Sequence, residues 1–313
     1  MTNFGYWRVL AATAIVAALA YGCGGRAAVD HSGSLVSDEG QIAFTRATKF
    51  TPPEFESEVY TIDVDGSGER RLTDSPGLDA FPAWSPDGER LTFASDRDGG
   101  NWELYTMDAD GSQQRRLTNT PDQDESVTAW SPDGEEIAYV TDVIENPTIW
   151  VMSTEGGDPK RLTSGNWPSW SPDGERIVYT TYSTGTWLAV MNADGSRQRD
   201  LGASVSRRLT GRAYAEEPTW SPDGERIAFV SKPFMGDEEI YAVNSDGSGR
   251  RRLTDIQGAD HWPPTWSPEG KRIAFTSDGT EERGEIFVIN VDGSGLTRLT
   301  RDPADDAFPA WRP

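Results

Sequence analysis

The sequence predicts an all-β protein, a six-bladed β-propeller closed by strands from both termini. The motif Trp-Ser-Pro-Asp-Gly, or a close variant, returns at intervals of 40 to 50 residues, a period typical of a four-stranded propeller blade. The ending Arg-Leu-Thr occurs six times, which indicates six blades. The motif tryptophans are Trp84, Trp130, Trp170, Trp220, Trp266 and the last copy, Trp311. The Leu-Thr endings are Leu72-Thr73, Leu117-Thr118, Leu162-Thr163, Leu209-Thr210, Leu253-Thr254 and Leu299-Thr300.

Each repeat is predicted to contain the same four strands. The first strand ends at the Trp, and Pro-Asp-Gly supplies a turn before an apolar second strand such as 273–276. An aromatic-rich third strand such as 103–107 follows, then an Asp-Gly-Ser turn and a fourth strand that ends in Arg-Leu-Thr. One Trp at a fixed place in every repeat favours packing between neighbouring blades over ligand stacking.

The two ends of the propeller, which is predicted to span 35–313, explain each other. Residues 37–44 match the second half of a repeat whose Trp-bearing strand is missing, and 308–311 have the sequence of that missing strand. Pairing the two would protect sheet edges that an open array would expose.

The N-terminal segment is predicted to direct export. Residues 1–22 have the plan of a signal peptide of the lipoprotein type, with Arg8 before a short apolar run. Cys23, the only cysteine, then becomes the lipidated residue, and 23–34 form a Gly-rich tether. This places an anchored protein in the periplasm or on the outer side of the cytoplasmic membrane. Cleavage by another signal peptidase, or retention of the segment as an anchor, stays open, as does a host with one or two membranes.

The charge of the chain limits its partners. With 29 basic and 51 acidic residues the formal net charge is -22. A surface of this sign repels phosphate backbones and argues against nucleic acid as a ligand. It suits a cationic partner or simply a well-solvated surface.

The repeated run Trp-Ser-Pro-Asp-Gly, Ile-Ala-Phe, Asp-Gly-Ser and Arg-Leu-Thr resembles the WD-like propeller repeats of the TolB family. The resemblance covers about 35–313 and is specific for the fold. It implies a protein of the bacterial cell envelope. TolB carries an α/β domain ahead of its propeller, and this chain has no counterpart of that domain between Cys23 and Leu35.

A candidate binding face comes from the loops that lead from one blade to the next, because in a propeller they gather at the mouth of the central channel. They are rich in acidic and aromatic residues, which suit a cationic or amphipathic protein or peptide segment. The alternative is that the recurrent acid caps backbone N–H groups at each strand entry. The candidate residues are Asp79, Phe81, Asp124, Glu125, Trp167, Glu216, Glu217, Asp260, His261, Trp262, Asp305, Asp306 and Phe308.

No catalytic or metal-binding constellation is found in the sequence. It has no Gly-x-Ser-x-Gly elbow, and its two histidines are too few for a multi-histidine metal site. The repeated Asp-x-Asp-Gly lacks the Gly and Glu positions of an EF-hand loop and is predicted to form hairpin turns. We therefore expect a non-catalytic, monomeric envelope scaffold without cofactor or metal.

A carbohydrate-binding or carbohydrate-cleaving propeller is the alternative function. Trp167, Trp262 and Phe308 would stack on sugar rings, and two carboxylates at a suitable separation would be enough for glycoside hydrolysis.

Overall fold

The computed structural model describes residues 40–51, 54–143, 146–182, 187–201, 214–232, 237–256, 261–278 and 283–313. The predicted signal peptide, Cys23, the tether and Asp260 lie outside these ranges. The described residues form strands, turns and connecting segments but no helix. None of them therefore belongs to a helix long and apolar enough to cross a membrane.

The described residues form 24 strands. The first twelve are β1 Gln41–Thr51, β2 Glu54–Asp63, β3 Arg70–Arg71, β4 Asp79–Trp84, β5 Arg90–Ser95, β6 Glu103–Asp108, β7 Arg115–Arg116, β8 Glu125–Trp130, β9 Glu136–Thr141, β10 Thr148–Ser153, β11 Lys160–Ser164 and β12 Asn166–Trp170. The others are β13 Arg176–Thr181, β14 Trp187–Asn192, β15 Arg199–Asp200, β16 Tyr214–Trp220, β17 Arg226–Lys232, β18 Glu239–Asn244, β19 Arg251–Arg252, β20 His261–Trp266, β21 Arg272–Ser277, β22 Glu285–Asn290, β23 Thr297–Arg298 and β24 Asp306–Trp311.

The strands form six four-stranded antiparallel sheets, the blades of the predicted propeller. Blade 1 has the order β24-β1-β2-β3, and blades 2 to 6 each use four consecutive strands, beginning with β4, β8, β12, β16 and β20. The Trp-bearing strand lies at one edge of each sheet, contacts its counterparts in the neighbouring blades and so lines the channel. In blade 1 this inner strand is β24, in which Trp311 pairs with Ile42 of β1.

The motif tryptophans lie between blades. All six are at most 8% exposed. Trp311, for example, packs in one cluster with Ile42 of its own blade and with Ala274 and Val288 of blade 6. The largest side chain of the repeat thus packs at the interface between blades.

An arginine from the preceding blade stacks on the ring of five of these tryptophans. The guanidinium carbon lies 4.9 to 5.1 Å from the ring centroid, the distance of a cation–π contact. The pairs are Arg90–Trp130, Arg176–Trp220, Arg226–Trp266, Arg272–Trp311 and Arg312–Trp84. Four of these arginines lie six residues after the Trp of their own blade, and Arg312 lies one residue after Trp311. At the boundary between blades 3 and 4, the position six residues after Trp130 is Glu136.

In four blades the ending Arg-Leu-Thr contacts a buried Glu on the third strand, an arrangement that we call the clamp. In blade 1, Glu58 at 1% exposure accepts hydrogen bonds from Arg71 at 2.5 Å and from the Thr73 hydroxyl at 2.6 Å. The same Glu–Arg contact recurs in blades 2, 5 and 6, as Glu103–Arg116, Glu239–Arg252 and Glu285–Arg298. The clamp ties the third strand to the fourth.

The prediction for the fourth strand of blade 4 is wrong. This strand is β15 followed by Leu201, not a strand ending at Leu209-Thr210, which lies outside the described residues. Leu201 is 3% exposed and donates its N–H to the carbonyl of Leu188 at 2.9 Å. Leu253 makes the equivalent bond to Ile240 in blade 5. Strand pairing, rather than the motif, decides which Leu closes the blade.

Candidate functional site

The inner strands share a bulge that positions the channel residues. Each shows a register shift just before its Trp, and the residue three positions before that Trp adopts a positive φ in five blades. Bulky residues rarely take this conformation, and β-bulges commonly re-aim a side chain. The five residues are Phe81 at 57°, Val127 at 47°, Trp167 at 53°, Glu217 at 56° and Phe308 at 55°. In blade 6 the position is Pro263, whose ring fixes a negative φ.

Threonine hydroxyls of the preceding blade hold three of these bulges. The backbone N–H groups of Phe81, Glu217 and Phe308 donate to Thr45, Thr180 and Thr276 at 3.2, 3.2 and 3.1 Å. Where the bulge residue is Pro263, which has no N–H, the position equivalent to these threonines is Val230. Ala94 and Val140 stand at the equivalent positions before the bulges of Val127 and Trp167, and the N–H of Trp167 donates to Oδ1 of Asn166 at 2.8 Å instead.

Three bulge side chains form what we call the aromatic cluster, Phe81, Trp167 and Phe308. The ring centroids of Phe81 and Phe308 lie 4.4 Å apart, and Trp167 lies 6.1 Å from both. Because blade 4, which supplies Trp167, stands opposite blade 1, which supplies Phe308, these rings meet across the channel. All three are partly exposed, so the cluster gives the channel mouth an apolar surface.

Glu217 occupies the same bulge position as the three rings. Its Oε2 atom is buried and has no hydrogen-bond partner. Burial, with the charges of Glu216 and Glu238, raises the pKa of Glu217 well above its ordinary value. Burial and the charge of Glu238 raise the pKa of Glu216 to about 7. A buried carboxylate oxygen without a donor is costly, and a cation or N–H group from a partner would relieve that cost.

Three of the predicted binding acids are structural instead. Asp79 and Asp306 are fully buried, and Glu125 is 1% exposed. Arg97 donates to Asp79 at 2.7 Å, and Arg46 makes a bidentate contact with Asp306 at 2.6 and 2.8 Å. These three side chains therefore leave almost no surface for a partner to contact, because each begins an inner strand and is buried within the propeller.

Glu125 is enclosed in a similar way. The hydroxyls of Thr118 and Thr120 donate to its carboxylate, which lies near Glu103. Burial, reinforced by the charge of Glu103, raises the pKa of Glu125 to about 8.

Asp124 and Asp305 fit the capping alternative. Each is half-buried and accepts a backbone N–H, Asp124 from Trp102 at 2.8 Å and Asp305 from Gly284 at 3.0 Å. Burial raises the pKa of both carboxyls. These two acids fasten the loops between second and third strands.

The remaining candidates lie in blade 6. His261 begins β20, and Trp262 is half-buried beside it. The structure therefore assembles the channel site from Phe81, Trp167, Phe308 and the Glu216–Glu217 pair. Sequence reasoning missed the bulge that Phe81, Trp167, Phe308 and Glu217 share, and its signal was their common distance of three residues from the motif Trp.

Within the described ranges, no three His, Cys, Asp or Glu side chains are placed to hold a metal ion. The chemistry of the channel mouth consists of aromatic contact area and carboxylates.

Comparisons with known proteins agree with this architecture. The family model described as TolB beta propeller domain matches residues 38–208 and 99–263. The Tol-Pal system protein TolB of Bordetella pertussis is 47% identical over 45 residues, 14% of this chain and 10% of that protein. The matched stretch thus spans about a tenth of the length of this curated relative.

Two solved structures share the fold. TolB from Acinetobacter baumannii aligns with a TM-score of 0.75 at 22% identity, covering 88% of this chain and 67% of that one. A protein described as TolB from Agrobacterium tumefaciens aligns with a TM-score of 0.64 at 23% identity, covering 84% and 90%. At these identities the likeness concerns the fold alone.

Proposed function

Because the chain belongs to the TolB beta propeller domain family, we propose that it is a non-catalytic scaffold of the cell envelope, which holds a protein or peptide partner at the channel mouth. It would act as a monomeric propeller.

The observation that carries this proposal is the common origin of the aromatic cluster and Glu217 in the inner-strand bulge. An aromatic residue at positive φ costs backbone energy, and such strain tends to persist where a side chain serves a site. A partner segment could place apolar side chains on the rings and a Lys or Arg beside the free oxygen of Glu217. Aromatic anchors beside a desolvated charge are typical of binding hot spots.

The N-terminal sequence and the relatives support the proposed location. The Bordetella relative is named as a protein of the Tol-Pal system, and residues 1–22 have the plan of a signal peptide. We include lipidation of Cys23 in the proposal. Metabolic labelling with a clickable palmitate should mark wild-type protein but not Cys23→Ala, and equal labelling would exclude the anchor.

The carbohydrate alternative is weaker in this geometry. Two of its three proposed stacking platforms, Trp167 and Phe308, stack on each other at an interplanar angle of 21°. The faces that would lie on a sugar ring are thus partly taken by the cluster itself.

Site-specific photocrosslinking in the native host tests the proposal. A p-benzoylphenylalanine in place of Phe81 should capture a discrete partner, whereas the same probe in place of Leu296 should not. Leu296 is a matched control because it is 37% exposed and lies in a turn at the opposite end of the blades. The same adducts from both positions would contradict a binding site at the channel.

Variants then locate the contact. Trp167→Gly/Phe308→Gly in the presence of the Phe81 probe should reduce the adduct at least tenfold. Glycine accepts the positive φ of both positions, so the bulge can persist without the rings. Glu217→Gln should weaken capture of a cationic partner. Unchanged adducts in both variants would overturn the proposal.

A further inference from the structure

Three blades carry the same stack of two aromatic rings and one arginine. A ring on the second strand faces a ring on the third strand with centroids 5.6 to 5.9 Å apart, and a guanidinium lies 3.9 to 4.9 Å from the second ring. The stacks are Phe44–Tyr60–Arg46, Phe93–Tyr105–Arg97 and Phe229–Tyr241–Arg250. Blade 6 retains a ring pair, Phe275–Phe287, at 5.9 Å.

Blade 4 departs from this pattern. Tyr179 supplies the ring of the second strand, but its partner in register on the third strand is Ala189. Thr181 stands where blade 1 has Arg46, four residues after the first Ile of the strand. A cavity of about 460 Å³ lies beside Tyr179 instead. Pockets that bind small molecules have volumes of roughly 300–1,000 Å³, so this cavity is large enough for a small ligand.

The cavity wall combines hydroxyl, amide and aromatic groups. Tyr179 is 3% exposed and lines the cavity together with Thr163 and Gln198. The Thr163 hydroxyl donates to Oε1 of Gln198 at 3.2 Å, which joins blade 3 to blade 4 at this wall. Asp200, the cross-strand neighbour of Ala189 on β15, also borders the cavity.

Arg161 at the cavity makes no ion pair within the described residues and donates to the Ser164 hydroxyl at 3.1 Å. Arg199 also borders the cavity, but its guanidinium donates to the carbonyl of Ser245 in blade 5 at 3.4 Å and interacts electrostatically with Asp246. In blades 1, 2, 5 and 6 the arginine equivalent to Arg161 is clamped by a Glu at the start of the third strand. In blade 3 that position is Thr148, so the guanidinium of Arg161 stays available.

We propose that this cavity binds a small aromatic carboxylate. The ring would lie against Tyr179, near Asp200, the cross-strand neighbour of Ala189, since aromatic pairs gain from offset or edge contacts. The carboxylate would accept from Arg161, whose guanidinium group suits planar anions. The site lies between blades 3 and 4 and is independent of the channel mouth.

Three probes of one shape and different charge test the ligand class. 4-Hydroxyphenylacetate carries the missing phenol ring and a carboxylate, p-cresol carries the ring alone, and tyramine replaces the carboxylate with an ammonium group. Titration followed by ligand-observed NMR should give a Kd of about 0.1–1 mM for 4-hydroxyphenylacetate, a range typical of so small a ligand. Tyramine should bind at least tenfold more weakly, with p-cresol in between.

Variants place the probe in the cavity. Ala189→Tyr restores the ring of the other blades and should abolish binding of 4-hydroxyphenylacetate. Arg161→Gln should weaken the binding of 4-hydroxyphenylacetate at least threefold and leave the affinity for p-cresol unchanged. Arg115→Gln, a control at an exposed arginine of blade 2, should change neither affinity. If Ala189→Tyr fails to fold, Tyr179→Leu takes its place with the same expected loss.

The results that would overturn the proposal are equal affinities for the three probes, no binding to wild-type protein, or binding unaffected by Arg161→Gln and by the ring variant. Because the channel residues are untouched, crosslinking at Phe81 reports separately on the proposed function.

Discussion

The hydroxyl of Thr276 in blade 6 accepts a hydrogen bond of 3.1 Å from the backbone N–H of Phe308 in blade 1. Thr276 is fully buried, so this bond satisfies a donor that the bulge removes from the sheet ladder. It also joins the last complete blade to the strand that completes the first one.

Thr276→Val should therefore destabilise the protein by about 1–3 kcal/mol, because it leaves the N–H of Phe308 buried without an acceptor. Chemical denaturation measures the change. Thr106→Val is the matched control, since Thr106 is also buried and its hydroxyl only donates to the carbonyl of Leu91. Equal losses in the two variants would contradict the importance of the Phe308 donor.

Glu136→Arg should stabilise the boundary between blades 3 and 4 by about 0.5–1 kcal/mol, because it supplies the cation–π contact that the other five boundaries possess. Glu135→Arg makes the same charge change at the exposed neighbouring position and controls for the reduced net charge. If the two variants raise the melting temperature equally, stacking on Trp170 plays no part.

Glu217→Gln should stabilise the protein at pH 8 and have little effect near pH 5. The folded-state pKa of Glu217 lies above its unfolded value, so the native state binds this proton more tightly. The associated stability is present below the unfolded pKa of about 4.3 and is lost as pH rises through the folded pKa.

Melting curves of wild type and Glu217→Gln between pH 5 and pH 8 measure this linkage. Because glutamine resembles the protonated carboxyl, the difference between the two proteins should grow with pH. A constant difference would show that the carboxylate is not desolvated in solution.

Deletion of residues 305–313 should lower the melting temperature by more than about 10 °C, since several kcal/mol are lost and each is worth roughly 2–4 °C in a large domain. The deletion removes the buried ring of Trp311, the pairing of β24 with β1 and the carboxylate that Arg46 needs. Removal of Pro313 alone, which is exposed, is the control. A melt equal to that of the control would argue against a structural role for β24.

The sequence by itself determined the number of blades, the four strands of the repeat and the place of each Trp, because these features depend on contacts within one repeat and with the next. A Trp ahead of a turn packs on the neighbouring blade whatever the rest of the ring does. The repeated Arg-Leu-Thr was a poorer guide in blade 4, where Leu201 closes the sheet although the motif itself, residues 208–210, follows later in the sequence.

The tertiary structure decided which side chains reach the channel. Asp79, Glu125 and Asp306 stand in loop-like, acidic sequence, yet they begin the inner strands and are buried by the arginine and threonine groups of the blade. Phe81, Trp167 and Phe308 meet although they lie far apart in the chain, because the closed ring of six blades sets inner strands against one another across the axis. That closure joins repeats that are distant in the sequence, so it cannot be deduced from the pattern of a single repeat. The bulge likewise becomes visible only when the inner strands of several repeats are compared.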